Sequence, residues 1–104
     1  MPTDPAQLTE AKHLTPQCLS IDLEVGRQHG RIHQLAALRG DNGERLTFPP
    51  GTLDQALTAM DQLASGTRFL LGHNLIAFDL PQLRALRPAM SLLTMPVIDT
   101  LRLN

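Results

Sequence analysis

The segment Cys18-Leu19-Ser20-Ile21-Asp22-Leu23-Glu24-Val25 has the pattern of a β-strand with one apolar face and one acidic face. Side chains alternate between the two faces of a strand, so the leucine and isoleucine residues lie on one side while Asp22 and Glu24 lie on the other. Asp is disfavoured in strands, and like charges on one face repel each other. A bound cation would compensate this repulsion. The alternative is that both acids simply form the solvated face of an amphipathic strand.

A second acidic segment, Gly72-His73-Asn74-Leu75-Ile76-Ala77-Phe78-Asp79, follows the apolar run at residues 68–71. A continuously apolar run is expected of a strand that is buried on both faces in the middle of a sheet. The polar residues that follow are then predicted at its carboxyl end. Because Pro81 is tolerated only in the first turn of a helix, the next helix is predicted to start between residues 78 and 80, which places Asp79 at a helix start.

The composition fits one small globular domain. The chain has 104 residues, of which 42% are hydrophobic, 18% charged and 3% aromatic, so an aliphatic core is expected. Residues 1–16 contain three prolines among polar residues and are predicted to be a flexible leader, with the domain at 17–104. No apolar run suits a membrane span and no secretion signal is apparent, so a cytoplasmic location is expected. The lone Cys18 is predicted to be a buried hydrophobe.

The charge pattern gives no overall basic field, since the formal net charge is −1. All but one of the nine Lys and Arg residues are arginines, the type suited to bidentate phosphate contacts. Arg27, Arg31, Arg84 and Arg87 lie near the two acidic segments in the sequence. Ordinary solvated surface charge is the alternative interpretation of each.

The predicted elements alternate in a way that specifies an α/β fold. Thr52 and Gln55 have the spacing of a capping box before an amphipathic helix. In chain order, strands are predicted at about 18–25, 31–39, 44–48, 68–71 and 95–98, with helices at about 53–64 and from about 79 to 87. An antiparallel meander whose first strand pairs in parallel with the fourth gives the strand order 3-2-1-4-5. In that arrangement Asp22 and Glu24 lie next to the helix that carries Asp79.

The two acidic segments resemble the DEDD (DnaQ-like) 3′-5′ exonucleases, whose domain has the ribonuclease H-like fold. Asp22-Leu23-Glu24 matches the first family motif, and His73-Asn74-Leu75-Ile76-Ala77-Phe78-Asp79 matches the second. More narrowly, the chain resembles exonuclease-like domains found ahead of some bacterial RecQ-type helicases. The resemblance implies a metal-dependent exonuclease that acts on a nucleic acid with a 3′ end, with DNA favoured.

The resemblance also implies roles for individual residues. Two Mg²⁺ or Mn²⁺ ions would be held by the catalytic carboxylates: Asp22 would bridge both ions, Glu24 would hold the one that activates water, and Asp79 would hold the other. Carboxylates are suitable ligands for such hard cations. The substrate would be contacted at four further positions: Leu23, Val25, His73 and Asn74. The Thr and Gly that usually follow the family's Glu are replaced here by Val25 and Gly26.

The family's third motif, which carries a fourth acid and a His or Tyr on a C-terminal helix, has no match in this sequence. We therefore expect the chain to be the N-terminal part of such a domain and to be weakly active or inactive by itself. Asp99, before Thr100, is predicted to cap a helix rather than to replace the fourth acid. His33 is not at zinc-ligand spacing and is predicted to be a surface or strand residue. The alternative function is a non-catalytic ribonuclease H-like module that binds a helicase or another protein partner.

Overall fold

A mixed five-stranded sheet forms the frame of the computed structural model, which describes residues 17–102. In chain order its main elements are β1 Cys18–Val25, β2 Ile32–Arg39, β3 Arg45–Phe48, α1 Leu53–Leu63, β4 Phe69–Gly72, α2 Leu80–Leu86 and β5 Val97–Asp99. Three short helical turns complete it: a π-helical turn at Leu75–Asp79 and 3-10 turns at Ser91–Thr94 and Thr100–Arg102. The predicted leader at 1–16 lies outside the described residues.

The strand order β3-β2-β1-β4-β5 confirms the predicted order and the predicted α/β class. β1 is central: it pairs antiparallel with β2 and parallel with β4. β3 pairs antiparallel with β2, and β5 pairs parallel with β4. The two connections between parallel strands contain α1 and α2. This is expected, because a crossover must return the chain to the end of the sheet at which the first strand began.

One face of the sheet carries the core. Leu19, Ile21 and Leu23 of β1 are buried in an aliphatic cluster that includes Leu57 of α1 and Leu83 of α2. The period of two along β1 and the helical period along α1 and α2 bring their apolar sides together. Both long helices therefore cover the same face. Replacing a fully buried leucine of this cluster by alanine is expected to cost about 2 to 5 kcal/mol.

No helix among residues 17–102 covers the other face of the sheet, which is called the open face below. Leu38 of β2 and Ile98 of β5 are 40% and 37% exposed, and Asp22 and Glu24 are exposed on the same face. The prediction that the strand at 68–71 is buried on both faces is wrong for this reason. Only Leu70 is fully buried there, whereas its neighbours in β4 are half-buried.

The start of α1 agrees with the prediction, whereas the start of α2 has a feature that was not predicted. The Thr52 side chain accepts the N–H of Gln55, and the Gln55 side chain accepts the N–H of Thr52, which confirms the capping box. Asp79 precedes α2 as predicted, but its side chain does not cap the helix. A π-helical turn before α2 was not anticipated.

No helix in the described part of the chain is long and apolar enough to cross a membrane.

Candidate functional site

A buried hydrogen bond joins the two acidic segments. Oδ2 of Asp79 accepts the backbone N–H of Leu23 at 3.1 Å, across 56 positions of sequence. Leu23 lies between Asp22 and Glu24 in β1, and Asp79 is only 4% exposed. The predicted convergence of these segments is therefore made by a specific contact between the π-helical turn and the central strand.

The environment of Asp79 disfavours its charged form. Burial is the largest effect, and together with the nearby charge of Asp22 and a smaller contribution from Asp99 it raises the pKa of Asp79 to about 6. The N–H of Leu23 opposes this shift, because a carboxylate accepts that bond more strongly than a carboxylic acid does. Asp79 is therefore ionised at neutral pH at a cost to folding. Carboxylates with a pKa shifted by burial and by a neighbouring charge are frequent in functional sites.

Gly72 allows the second acidic segment to approach β1 closely. A Cβ atom at this position would lie 2.9 Å from the carbonyl oxygen of Ile21, which is too close for ordinary packing. Two residues later, Asn74 has a φ of 61°, in the left-handed region that Asn tolerates better than most residues. These two features turn the chain sharply from the end of β4 into the π-helical turn that carries Asp79.

Asp99 organises the same turn from the end of β5. Its carboxylate accepts three backbone N–H groups: Asn74 at 2.8 Å, Ile76 at 3.0 Å and Leu101 at 3.1 Å. Burial acts to raise the pKa of Asp99, but the three hydrogen bonds and Arg102 outweigh it and hold the pKa below its usual range. The bond to Leu101 confirms the predicted cap. The bonds to the π-helical turn were missed, although the parallel pairing of β4 with β5 could have indicated them.

Asp22 and Glu24 project from β1 on the open face, as the alternation predicted. Oε2 of Glu24 lies 3.5 Å from Nε2 of His33. An irregularity of register makes this possible: Glu24 pairs with Gln34 and Val25 with Ile32, so His33 is an extra residue on β2. Such bulges redirect side chains. His33 is exposed, as predicted.

Asp79 lies close enough to Asp22 to be affected by its charge, but the three predicted metal ligands are not gathered into one cluster. Asp79 is held against β1 and is affected by the charge of Asp22, whereas Glu24 is paired with His33. Within residues 17–102, no group of three or more His, Cys, Asp and Glu side chains is arranged to hold a metal ion. A cation shared by all three carboxylates would therefore require side-chain movement, which the exposure of Asp22 and Glu24 allows.

The four residues predicted to contact substrate lie in different environments. His73 is exposed, and its Nδ1 lies 3.1 Å from Oγ1 of Thr100. Asn74 is half-buried, and its backbone N–H is engaged by Asp99. Leu23 is only 5% exposed, and Val25 packs against the core. His73 is thus the one exposed residue among the four.

The arginines near the acidic segments lie on several elements of the fold. Arg27 and Arg31 are exposed at the turn between β1 and β2, and Arg84 is exposed on α2. Arg87 is engaged: it donates to Oγ1 of Thr58 at 2.7 Å and forms an ion pair with Asp54. Solvated surface charge is therefore the simplest description of these side chains.

Comparisons with known proteins identify no family for this chain. No protein-family model, curated protein or solved structure matches the chain. The resemblance to the exonuclease family rests on Asp22-Leu23-Glu24 and on the segment at 73–79. The contact between those two segments, made by Asp79 and the backbone of Leu23, is the structural observation from which a function can be argued.

Proposed function

We propose that this chain carries the N-terminal part of a ribonuclease H-like, metal-dependent 3′-5′ exonuclease domain that acts on a nucleic acid with a 3′ end, with DNA favoured. One observation carries the proposal. Asp79, the last residue of the second motif, is hydrogen-bonded at 3.1 Å to the backbone between the two acids of the first motif. This contact sets the carboxylate of Asp79 against the segment of β1 that carries Asp22 and Glu24.

The residues fit a hard cation in chemical type and in charge. Asp22, Glu24 and Asp79 supply only oxygen ligands, as Mg²⁺ and Mn²⁺ prefer. The charge of Asp22 adds to the burial that raises the pKa of Asp79 to about 6. A cation between these two carboxylates would remove that repulsion. Bound at this position, it would stabilise the attacking water and the leaving oxygen of a phosphodiester.

Each residue around the proposed cation site has its own role. The N–H of Leu23 fixes the orientation of Asp79, and Asp99 fixes the turn that carries it. Asp22 and Glu24 stay exposed on β1, where Glu24 must leave His33 to serve as a ligand. His73, oriented by Thr100, stands beside the site on the solvent side. We expect weak activity, because general-base assistance is worth about 10² to 10⁴ in rate and no residue matches the family's third motif.

A metal-binding experiment tests the proposal. We expect Mn²⁺ at about ten times its dissociation constant to stabilise the full chain by about 1.4 kcal/mol, or roughly 5 to 10 °C in a thermal melt. Asp22→Asn should lose this gain. Glu44→Gln, which neutralises an exposed acid in the turn before β3, should keep it. Coincident melts in Mn²⁺ and in chelator for the wild type, or an undiminished gain in Asp22→Asn, would contradict the proposal.

A nuclease assay tests the catalytic part separately. A 3′-ended single strand should be shortened by the full chain only slightly above background, and only with Mn²⁺ or Mg²⁺. Joining a C-terminal helix segment that carries a His or Tyr and an Asp should raise this rate by about two orders of magnitude or more. Asp22→Ala in the extended protein should abolish the gain. An extended, folded, metal-binding protein that leaves both DNA and RNA intact would exclude the catalytic function.

The second candidate function is a non-catalytic ribonuclease H-like module that binds a helicase or another protein partner. The pairing of Glu24 with His33 favours it, because this contact withholds one of the three proposed ligands. So does the open, partly apolar face of the sheet, which is suited to a protein contact. Such a module does not need Asp22, Glu24 and Asp79 to hold ions, so the Mn²⁺ melts discriminate between the two functions.

A further inference from the structure

The open face of the sheet carries one continuous row of side chains across all five strands. The strand pairings align Arg45, Leu38, Ser20, Leu71 and Ile98 from β3 to β5. The row is apolar except for Ser20 in the middle and Arg45 at one end. A shallow depression of about 440 Å³ lies over it. Exposed apolar surface in one contiguous patch commonly marks an interface.

Charge is distributed unevenly on this face. Arg45 is exposed at the β3 edge, and the ion pairs found among residues 17–102 do not include it. Asp22 and Glu24 continue β1 beyond Ser20, on the same face. The face therefore has a positive edge, an apolar middle and a negative end on the central strand. It carries both signs of charge and can complement a copy of itself.

We propose that two copies of this chain pair through their open sheet faces, with the strands crossed at about 90° and Arg45 of each copy placed between Asp22 and Glu24 of the other. Orthogonal packing is one of the two common arrangements of stacked sheets. The proposal concerns an interaction surface and stands independently of the exonuclease proposal.

The strand spacing supports the crossed arrangement. Arg45 is two strands away from Ser20, or about 10 Å, because neighbouring strands are about 4.8 Å apart. Along β1, Asp22 lies about 7 Å and Glu24 about 13 Å from Ser20, at about 3.3 Å per residue. A two-fold axis over Ser20, at 45° to the strands, exchanges these two directions. It places Arg45 of one copy over the gap between the two acids of the other, and the reverse contact forms by symmetry.

Aligned packing of the two faces brings like charges together instead. With the axis along β1, Asp22 would face the same residue of the second copy. With the axis perpendicular to the strands, Arg45 would face itself. Burying a like-charged pair is costly, whereas an opposite pair at the edge of an interface directs association. The crossed arrangement is the one of these three that avoids both repulsions.

The size of the face predicts a weak dimer. A square of about 20 Å by about 20 Å buries about 400 Å² per copy, less than the roughly 800 Å² of a standard stable interface. We therefore expect association at high micromolar concentration rather than a permanent dimer. Ionic strength should weaken it, because its orientation depends on exposed charge pairs.

A charge-swap experiment tests the proposal with the full chain. In sedimentation equilibrium, the wild-type mass should rise from 11.4 kDa towards twice that value as concentration increases from about 10 μM to about 1 mM. Arg45→Glu alone and Glu24→Arg alone should each raise the dissociation constant at least about tenfold. An equimolar mixture of the two variants should associate more tightly than either variant alone, because the mixed dimer keeps one wild-type contact and its other contact sets the new glutamate beside the new arginine as well as Asp22. Arg84→Glu, the same change on the exposed side of α2, should have no effect.

A folding control and a double variant distinguish loss of association from loss of folding. Circular dichroism of each variant checks that it is folded, and the double variant Arg45→Glu/Glu24→Arg, which should associate more tightly than Arg45→Glu alone, provides a second test. A wild type that stays monomeric up to about 1 mM would overturn the proposal. So would undiminished association of folded Arg45→Glu, or failure of both the mixture and the double variant to associate more tightly than Arg45→Glu alone.

Discussion

Replacing Asp79 by asparagine should stabilise this protein at neutral pH, although it removes a buried charged group that makes a hydrogen bond. The pKa of Asp79 is raised from its ordinary value of 3.8 to about 6 in the folded chain. Above pH 6 the carboxylate is ionised in both the folded and the unfolded state, and folding then carries the cost of placing that charge in a buried position beside Asp22. An asparagine oxygen can still accept the N–H of Leu23.

The sign and the size of the effect follow from proton linkage. Between about pH 4 and pH 6 the folded chain holds a proton at Asp79 that the unfolded chain has lost, so the free energy of unfolding falls as pH rises through this window. The shift from 3.8 to about 6 corresponds to about 3 kcal/mol. At pH 7.5, Asp79→Asn should therefore be more stable than the wild type by up to about 3 kcal/mol, or roughly 10 to 20 °C in melting temperature. At pH 4 the difference should be near zero.

Urea denaturation of both proteins from pH 4 to pH 8 measures this difference directly. Asp99→Asn is the matched control, because hydrogen bonds hold the pKa of Asp99 below its usual range and the sign is reversed. Its carboxylate stabilises the fold above its ordinary pKa, and this contribution is lost as pH falls. Asp99→Asn should therefore destabilise the chain at pH 7.5 and do so less at acid pH. Parallel stability curves for Asp79→Asn and the wild type between pH 4 and pH 7 would refute the reasoning.

Two further predictions concern packing. Leu70→Ala should lower the free energy of unfolding by about 2 to 5 kcal/mol in urea titrations, because Leu70 is fully buried, while Leu38→Ala, at 40% exposure, should change it by less than about 1 kcal/mol in dilute protein. Equal losses would mean that the open face is covered. Gly72→Ala should destabilise the chain by about 1 to 3 kcal/mol, since its Cβ would meet the carbonyl oxygen of Ile21; an unchanged midpoint would show that β4 can move away from β1.

Sequence reasoning predicted the sheet because its determinants are local and periodic. The alternation along β1 specified which side chains face the core, and the capping box at Thr52 located the start of α1. The order of the strands followed from how short turns and helical crossovers can connect them. Burial on both faces of β4 was predicted wrongly. An apolar run shows that its residues favour burial, but it does not show whether helices cover one face of the sheet or both.

The site was harder to predict because it depends on contacts between distant segments. The convergence of Asp22 and Asp79 followed from strand order, but the bond from Leu23 to Asp79 requires a π-helical turn that no periodicity indicates. The pairing of Glu24 with His33 depends on one extra residue in β2. A bulge of this kind leaves no trace in the alternation of β1, from which the two acids were identified.

Uncompensated negative charge at one end of β1 connects the two proposals. Burial and the charge of Asp22 raise the pKa of Asp79, and Glu24 lies 3.5 Å from the exposed His33. A divalent cation would relieve this repulsion from the side of Asp79. Arg45 of a second copy would relieve it from the open face. Because both use the same two acids, each would lower the affinity for the other by the same factor, as linkage between two binding equilibria requires. Metal binding would then favour the monomer, and association would favour the metal-free form.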